Sequence, residues 1–253
     1  MNEAVFYHWF LFVWTALAVI IFASLFFISA PYGRHTRKGW GLGINPRWGW
    51  FIMEFPALAV PILFFFFSQR NQNFVAVIFL IMWEIHYVQR TLIYPTIKKK
   101  SPNTMPLLVM IFGLFFNACN GYLNGRFLFS LSSPYPSSWL GSPKFILGIS
   151  LFLGGFVINI HSDSILRSLR TRGDTGYKIP RGGLFKYVSS PNYFGEILEW
   201  FGWALATWSL PGAAFALWTI ANLAPRAFAN HSWYIKTFPD YPKKRKVLVP
   251  FIF

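Results

Sequence analysis

Long apolar segments with few or no charged side chains alternate with short polar segments along the chain. Each apolar segment is close to the roughly 20 residues that an α-helix needs to cross a bilayer. The pattern predicts an all-α integral membrane protein, a single domain over residues 1–253 with seven transmembrane helices. The predicted helices cover residues 8–30, 48–68, 73–97, 105–127, 145–162, 187–208 and 210–225. Ser209–Gly212 has the composition of a tight turn between the last two, and one kinked helix is the alternative there.

The amino-acid composition agrees with a membrane location. Hydrophobic residues make up 55% of the 253 residues and charged residues only 12%, whereas soluble domains carry about 25% charged residues. The composition therefore excludes a disordered chain and disfavours a soluble globular domain, which needs more polar surface. The one cysteine, Cys119, excludes a disulfide bond within the chain.

The distribution of basic residues predicts the orientation in the membrane. Of the 23 Lys and Arg residues, 19 lie in alternate segments between the predicted helices, at 34–47, 98–100, 163–186 and 226–253. Because cytoplasmic segments concentrate Lys and Arg, the N-terminus is predicted outside and the C-terminus in the cytoplasm. The same rule accounts for the net charge of +15 without a nucleic-acid partner. We expect a multi-pass protein of the plasma membrane in a bacterium, or of the endoplasmic reticulum in a eukaryote.

Polar side chains inside the apolar segments indicate a functional interior. Four of the eight acidic residues lie there: Glu54, Glu84, Glu196 and Glu199. A charged group inside a bilayer costs at least about 2.5 kcal/mol, so such groups form pairs, face the interior or line a polar cavity. Asn117, Asn120 and Asn124 recur at i, i+3 and i+7 and therefore share one helix face. Hydrogen bonds between helices and a polar pocket both explain these residues, and their clustering favours the pocket.

Several familiar sites are absent from the sequence. It contains no P-loop and no Gly-x-Ser-x-Gly segment, and Gly39–Gly43 lacks the spacing and strand context of a dinucleotide-binding loop. The five histidines never occur three or four residues apart, which excludes a helix with two histidine ligands, so no metal site is predicted. Any nucleotide is therefore expected to bind between helices.

Particular segments carry a resemblance to a known family. Residues 177–200 and 238–253 resemble the steroid 5α-reductase family, and so do Asn159–Asp163, His86–Thr91 and Glu54–Pro56. The resemblance covers nearly the whole chain and is greatest to the type 2 enzyme of the family. The C-terminal half alone is also similar to membrane sterol reductases, enoyl-CoA reductases and isoprenylcysteine methyltransferases. Glu54 and Tyr87 make the resemblance specific to the 5α-reductases.

The resemblance implies a seven-helix membrane enzyme that uses NADPH to reduce the C4=C5 double bond of a 3-oxo-Δ4-steroid. Hydride would reach C5, while the catalytic residues Glu54 and Tyr87 hold the C3 carbonyl and stabilise the enolate. The family's cofactor residues match Tyr32, Trp50, Asn159, Asp163, Arg170, Tyr177, Asn192, Glu196, Arg226, Asn230 and Tyr234. The implied partners are a steroid substrate and membrane lipid, without an obligate protein partner.

The chain departs from the family pattern at three places. Lys98–Ser101 replaces an Asn-Arg-Gly-Arg segment, Ala229–His231 replaces three histidines, and Tyr193 replaces a phenylalanine. The second departure leaves either Asn230 or His231 as the cofactor contact. The alternative functions are an S-adenosylmethionine-dependent methyltransferase of the isoprenylcysteine type, a sterol or enoyl-CoA reductase, and a non-enzymatic lipid-binding or transport protein. Transport is disfavoured because no internal repeat divides the sequence into two halves.

Overall fold

The computed structural model describes residues 2–28, 31, 33–37, 39–97, 104–169 and 176–252. They form two compact units, one from Met1–Phe12 and Pro31–Phe145, the other from Val13–Ala30 and Ile146–Phe253. Both units are helical, as the apolar pattern predicts. The described residues contain one short pair of β-strands, which belongs to the first unit.

The helices follow the apolar segments of the sequence. They are α1 (Glu3–Phe27), α2 (Pro46–Phe66), α3 (Phe74–Val88), α4 (Tyr94–Ile97), α5 (Leu107–Arg126), α6 (Pro143–Ser168), α7 (Pro191–Thr207) and α8 (Leu210–Thr237). A π-helical segment, Gln89–Ile93, joins α3 to α4, and another, Phe127–Leu131, follows α5. Short 3₁₀ turns lie at Gly33–His35, Ser137–Gly141 and Gly183–Lys186. The strands β1 (Gly43–Ile44) and β2 (Met105–Pro106) pair in antiparallel fashion, with Gly43 opposite Pro106.

Two neighbouring residues set the boundary between α7 and α8. Trp208 has a φ of 45°, a left-handed conformation that ends α7. Ser209 is extended, and its side-chain oxygen accepts a hydrogen bond from the Gly212 amide at 3.1 Å, which caps α8. The chain therefore forms two separate helices here, as the turn signal predicts, instead of one kinked helix.

The last helix is longer than its apolar segment. α8 continues to Thr237, well past the predicted end at residue 225, although Pro225 lies within it. Beyond Pro225, Arg226, Asn230 and Tyr234 follow one another at intervals of four residues and are all buried. The prediction from hydropathy ended the helix too early, because the rest of α8 carries polar side chains that are buried inside the protein and not exposed to water. α1 differs at its other end, since it begins at Glu3 and not at residue 8.

Five helical segments are long and apolar enough to cross a bilayer, which gives the described chain the character of a multi-pass membrane protein. They are Glu3–Phe27, Pro46–Phe66, Phe74–Ile97, Leu107–Leu131 and Pro143–Ser168. α7 is shorter, with 17 residues, and α8 carries the polar face described above. The count of seven spans and the orientation of the termini therefore stay predictions.

Glycine residues let α2 and α5 pack closely in the first unit. A Cβ atom at Gly125 would lie 3.0 Å from the Cα atom of Pro61, and one at Gly121 would lie 3.3 Å from the main-chain oxygen of Pro56. Small residues allow helix backbones to approach one another in this way within membranes. The close packing brings Asn117, one turn before Gly121, against α2.

α6 and α7 are equally close in the second unit. A Cβ atom at Gly155 would lie 2.5 Å from the main-chain oxygen of Gly195, and one at Gly195 would lie 2.6 Å from the amide nitrogen of Asn159. No side chain fits at either position without moving a helix backbone. The contact therefore places Asn159 beside the first turns of α7.

Candidate active site

In the first unit, a carboxyl group of α2 meets an amide group of α5 in buried surroundings. The exposed fraction is 8% for Glu54 and 5% for Asn117. Asn117 Nδ2 donates to Glu54 Oε2 at 3.1 Å and to the main-chain oxygen of Met53 at 2.7 Å. The amide group therefore orients the Glu54 carboxyl. Asn120 and Asn124 are buried as well, so the face predicted from the asparagine spacing points into the protein.

Tyr87 lies on α3 at the level of Glu54. It is buried, and its ring centroid is 5.0 Å from that of Trp83. Trp83 Nε1 donates to the main-chain oxygen of Ala57 at 2.7 Å, which links α3 to α2. Consecutive helices joined by a short loop run in opposite directions. One turn back along α2 from Ala57 to Glu54 and one turn forward along α3 from Trp83 to Tyr87 therefore reach the same level.

Trp50, which the resemblance assigns to the cofactor, belongs to α2 in the first unit. Its ring centroid lies 5.1 Å from that of Tyr94. The Arg90 guanidinium carbon lies 4.9 Å from the centroid of Trp50 and 5.0 Å from that of Tyr94. Such cation–π contacts stabilise a cation away from bulk water. They surround Arg90, a basic residue in the middle of a predicted membrane helix.

In the second unit, four side chains of α6 and α7 form a hydrogen-bonded group, which we call the amide–carboxylate cluster. Asn159 Nδ2 donates to the main-chain oxygen of Asn192 at 2.9 Å and to Glu196 Oε2 at 3.2 Å. Asn192 Nδ2 donates to Asp163 Oδ1 at 3.1 Å. The structure thus brings together four residues that the resemblance assigns to the cofactor, two from each helix.

α8 supplies three further predicted residues on its buried face, Arg226, Asn230 and Tyr234. Arg226 Nε donates to the Tyr193 hydroxyl at 2.8 Å, next to Asn192 of the cluster. Tyr177 packs near the C-terminal end of α8, where its ring centroid lies 5.1 Å from that of Trp233. The hydrogen bond of Arg226 therefore links the buried face of α8 to α7 directly beside the cluster.

Ser189, which sequence reasoning did not single out, connects α8 to the C-terminal segment. Its side-chain oxygen lies 2.6 Å from His231 Nδ1 and 2.7 Å from the Tyr241 hydroxyl. Burial lowers the pKa of His231, so its ring is neutral at pH 7. One ring nitrogen of His231 is thus engaged within the protein, whereas Asn230 lies on the buried face of α8. No local sequence signal marks Ser189, because both partners are more than forty residues away.

The predicted cofactor residues divide between the units. Trp50 lies in the first unit, whereas Asn159, Asp163, Tyr177, Asn192, Glu196, Arg226, Asn230 and Tyr234 lie in the second. Tyr32, Arg170 and Lys98–Ser101 lie outside the described residues. Among the residues that the structure describes, no group of three His, Cys, Asp or Glu side chains is placed to hold a metal ion.

The donors and acceptors of the second unit fit the dinucleotide that the resemblance implies. Carboxylates such as Asp163 and Glu196 accept hydrogen bonds from ribose hydroxyl or carboxamide groups, and the Asn159 amide both donates and accepts. Arg226 offers a guanidinium, the group best suited to phosphate oxygens. These residue types therefore match the sugar, amide and phosphate parts of such a cofactor.

Apolar helices that enclose buried acids, amides and tyrosines define the class of protein, a membrane-embedded enzyme. Comparison with known proteins then identifies the family. Residues 103–253 match the family model described as 3-oxo-5-alpha-steroid 4-dehydrogenase. The chain belongs to this family, whose members are oxidoreductases that act on CH–CH groups.

The relatives cover almost the whole chain. It is 46% identical over 241 residues to 3-oxo-5-alpha-steroid 4-dehydrogenase 1 of Homo sapiens, covering 94% of this chain and 92% of that protein. It is 41% identical over 256 residues to steroid 5-alpha-reductase DET2 of Gossypium hirsutum, covering 100% and 99%. The DET2 protein of Arabidopsis thaliana is 41% identical over 249 residues, covering 94% and 95%. The family expected from the sequence is thus confirmed, while the greater likeness to the type 2 enzyme stays a prediction.

Proposed function

We propose that this protein reduces the C4=C5 double bond of 3-oxo-Δ4-steroids with NADPH. The observation that carries the proposal is the identity to steroid 5α-reductases over almost the entire chain. Glu54 and Tyr87 are both buried in the first unit. The relatives are named for steroid reduction. Most of the residues assigned below are ones that the resemblance marks. Of these, the structure buries Glu54, Tyr87, Asp163, Arg226 and Tyr234 and half-buries Tyr177 and Glu196.

The first unit is proposed to recognise the reacting end of the steroid. Reduction of the conjugated enone develops negative charge on the C3 oxygen. A phenol that donates a hydrogen bond to this oxygen stabilises the charge in the same way as an oxyanion hole. Tyr87 is the phenol in this proposal, and Glu54, oriented by Asn117, positions it or adds a second hydrogen bond. The apolar and aromatic side chains around them suit the hydrocarbon skeleton of a steroid.

The second unit is proposed to bind NADPH through the amide–carboxylate cluster and the buried face of α8. When bound, NADPH supplies the hydride that C5 receives. Asp163 and Glu196 would accept hydrogen bonds from hydroxyl or amide groups, and Arg226 would balance phosphate charge. Tyr177 and Tyr234, in the same unit, would add aromatic rings and hydroxyl groups. The many basic residues of the chain favour NADPH over NADH, since NADPH carries an additional phosphate.

One experiment tests the reaction and its regiochemistry together. The full chain, purified in nanodiscs, is incubated with testosterone or progesterone and with NADPH that carries deuterium at nicotinamide C4. We expect the saturated 5α product with deuterium at C5, identified by mass spectrometry and NMR. Deuterium at C4, or no reduction, would contradict the proposal. Methyl transfer to a prenylated acceptor in a parallel incubation with S-adenosylmethionine would favour the methyltransferase alternative.

A further inference from the structure

Two segments of the second unit that are far apart in the sequence lie side by side. Residues 176–190 and 238–252 meet at a parallel β-bridge between Val188 and Lys246. The Ser189 amide donates to the main-chain oxygen of Lys246 at 2.9 Å, and the Lys246 amide donates to that of Tyr187 at 2.8 Å. Farther along, Arg245 Nη2 donates to the main-chain oxygen of Pro180 at 2.8 Å. We call the joined surface of these two segments the basic platform.

The platform presents a concentrated positive charge. Its exposed cations, three from each segment, are Lys178, Arg181, Lys186, Lys243, Lys244 and Lys246. Asp240 is the one acidic residue in the two segments, and its carboxylate lies 3.9 Å from the Arg181 guanidinium. The two segments are separated by more than forty residues in the sequence, so each contributes only half of the six exposed cations. The fold therefore builds one cationic surface from two basic segments.

Large apolar side chains stand on the same surface. The exposed fraction is 74% for Phe251, 77% for Ile252 and 42% for Tyr187, and the rings of Tyr187 and Phe251 are 4.8 Å apart. Val188 and Leu248, in contrast, are buried and anchor the platform to the rest of the unit. The platform thus keeps some apolar side chains for its own packing and leaves others exposed beside the lysines.

We infer that the basic platform binds the anionic headgroups of the bilayer surface. Clusters of Lys and Arg next to membrane helices attract acidic lipids, and aromatic and aliphatic side chains beside them enter the headgroup region. A soluble phosphate compound would need the cations but would leave Phe251 and Ile252 in water, so the mixed character favours a membrane surface. This inference goes beyond the proposed reaction and does not rest on it.

The test measures lipid preference in the intact protein. Full-length protein in nanodiscs is examined with spin-labelled phosphatidylglycerol and phosphatidylcholine, and the motionally restricted fraction of each gives a relative affinity. We expect a preference for phosphatidylglycerol of roughly 5-fold, the effect of about one cation near an anionic surface. The variant Lys186→Gln/Lys243→Gln/Lys244→Gln should reduce it below about 2-fold. An undiminished preference in this variant would overturn the inference.

A charge-matched control separates the platform from total charge. The variant Arg37→Gln/Arg47→Gln/Lys144→Gln removes three cations from the first unit and should keep the wild-type preference. An equal loss in the control variant would show that total charge decides, which contradicts the inference.

Two further measurements of lipid preference use the wild-type protein alone. Raising the salt from about 0.05 M to 0.5 M should remove most of the preference, because the Debye length falls to a few ångström. A preference that does not respond to salt would overturn the inference. Saturating NADPH should leave the preference intact, and its loss would show that the platform binds nucleotide phosphate instead. Since none of these measurements depends on turnover, a failure here is distinguishable from a failure of the proposed reaction.

Discussion

The two units use buried polar groups in different ways. In the first unit, Glu54 and Asn117 form a small pair, and Tyr87 packs against the Trp83 ring at a tilt. In the second, amides and carboxylates of α6 and α7 bond to one another in a continuous cluster. A few polar groups among apolar side chains suit one carbonyl on a hydrocarbon skeleton, whereas a cluster suits a ligand that is polar along its length.

This difference separates two kinds of effect. Changes in the first unit should act mainly on turnover, because the proposed contact strengthens as charge develops on the steroid oxygen. Changes in the second should act mainly on NADPH affinity, because those contacts hold the cofactor before and after the reaction. The predictions below test this separation. A loss of NADPH affinity from a change in the first unit, or a loss of turnover alone from a change in the second, would contradict it.

The largest effect is expected for Tyr87→Phe. The variant removes only a hydroxyl group, so folding and NADPH affinity should stay at the wild-type level. Turnover should fall by roughly 10²–10⁴-fold, the range for a lost proton donor or oxyanion contact. Steady-state kinetics with a 3-oxo-Δ4-steroid measures it, and Tyr122→Phe, on α5 in the same unit, serves as the control. Wild-type turnover in Tyr87→Phe would show that the mechanism assigned to this residue is wrong.

The second prediction concerns the cluster of the second unit. Asp163→Asn keeps the shape of the side chain but removes the charge that accepts a hydrogen bond from Asn192. NADPH affinity should weaken by roughly 10–100-fold, the value of a hydrogen bond to a charged group, while turnover at saturating NADPH changes little. Titration calorimetry measures the affinity. Ser164→Ala is the control and should bind NADPH normally, because the Ser164 hydroxyl donates to the main-chain oxygen of His161 in its own helix. Lower turnover at unchanged NADPH affinity in Asp163→Asn would contradict the role assigned to the second unit.

Asn117→Leu tests the support of Glu54. The substitution removes two hydrogen bonds from a buried site, one of them to the Glu54 carboxyl. We expect turnover to fall about 10-fold, together with a lower midpoint of thermal unfolding, since a buried acceptor is left unpaired. Asn124→Leu is the matched control on the same helix face, because Asn124 Nδ2 donates to the main-chain oxygen of Asn120 in its own helix. Equal losses of turnover in both variants would indicate a role in packing alone.

The smallest effect is expected for Tyr193→Phe, which restores the residue of the family pattern. The variant removes the hydroxyl that accepts a hydrogen bond from Arg226 Nε. NADPH affinity should change by about 2–5-fold, because Arg226 keeps its place on the buried face of α8. Titration calorimetry of Tyr193→Phe and Asp163→Asn under the same conditions compares their NADPH affinities directly. A loss as large as that of Asp163→Asn would mean that Tyr193 has become essential in this chain.

The helices themselves could be largely predicted from the sequence. Apolar segments of this length favour helices, so the predicted spans of α2 to α5 lie within a few residues of the observed ones, whereas α6 continues to Ser168, six residues past its predicted end. The end of α8 could not be predicted, since Arg226, Asn230 and Tyr234 are buried against the protein and hydropathy counts them as polar loop residues. Asparagine spacing predicted one face of α5 but did not show which group that face meets.

The sequence by itself determined the fold class, the family and the identities of the candidate site residues, because these depend on composition, periodicity and motifs that are local in the chain. Tertiary structure decided which side chains share a hydrogen bond. Asn117 reaches Glu54, and Asn159 reaches Glu196, only because glycines let the helix backbones approach. Contacts of this kind join residues that are tens of positions apart, and the close approach that permits them is a property of two helices together, which no single segment carries.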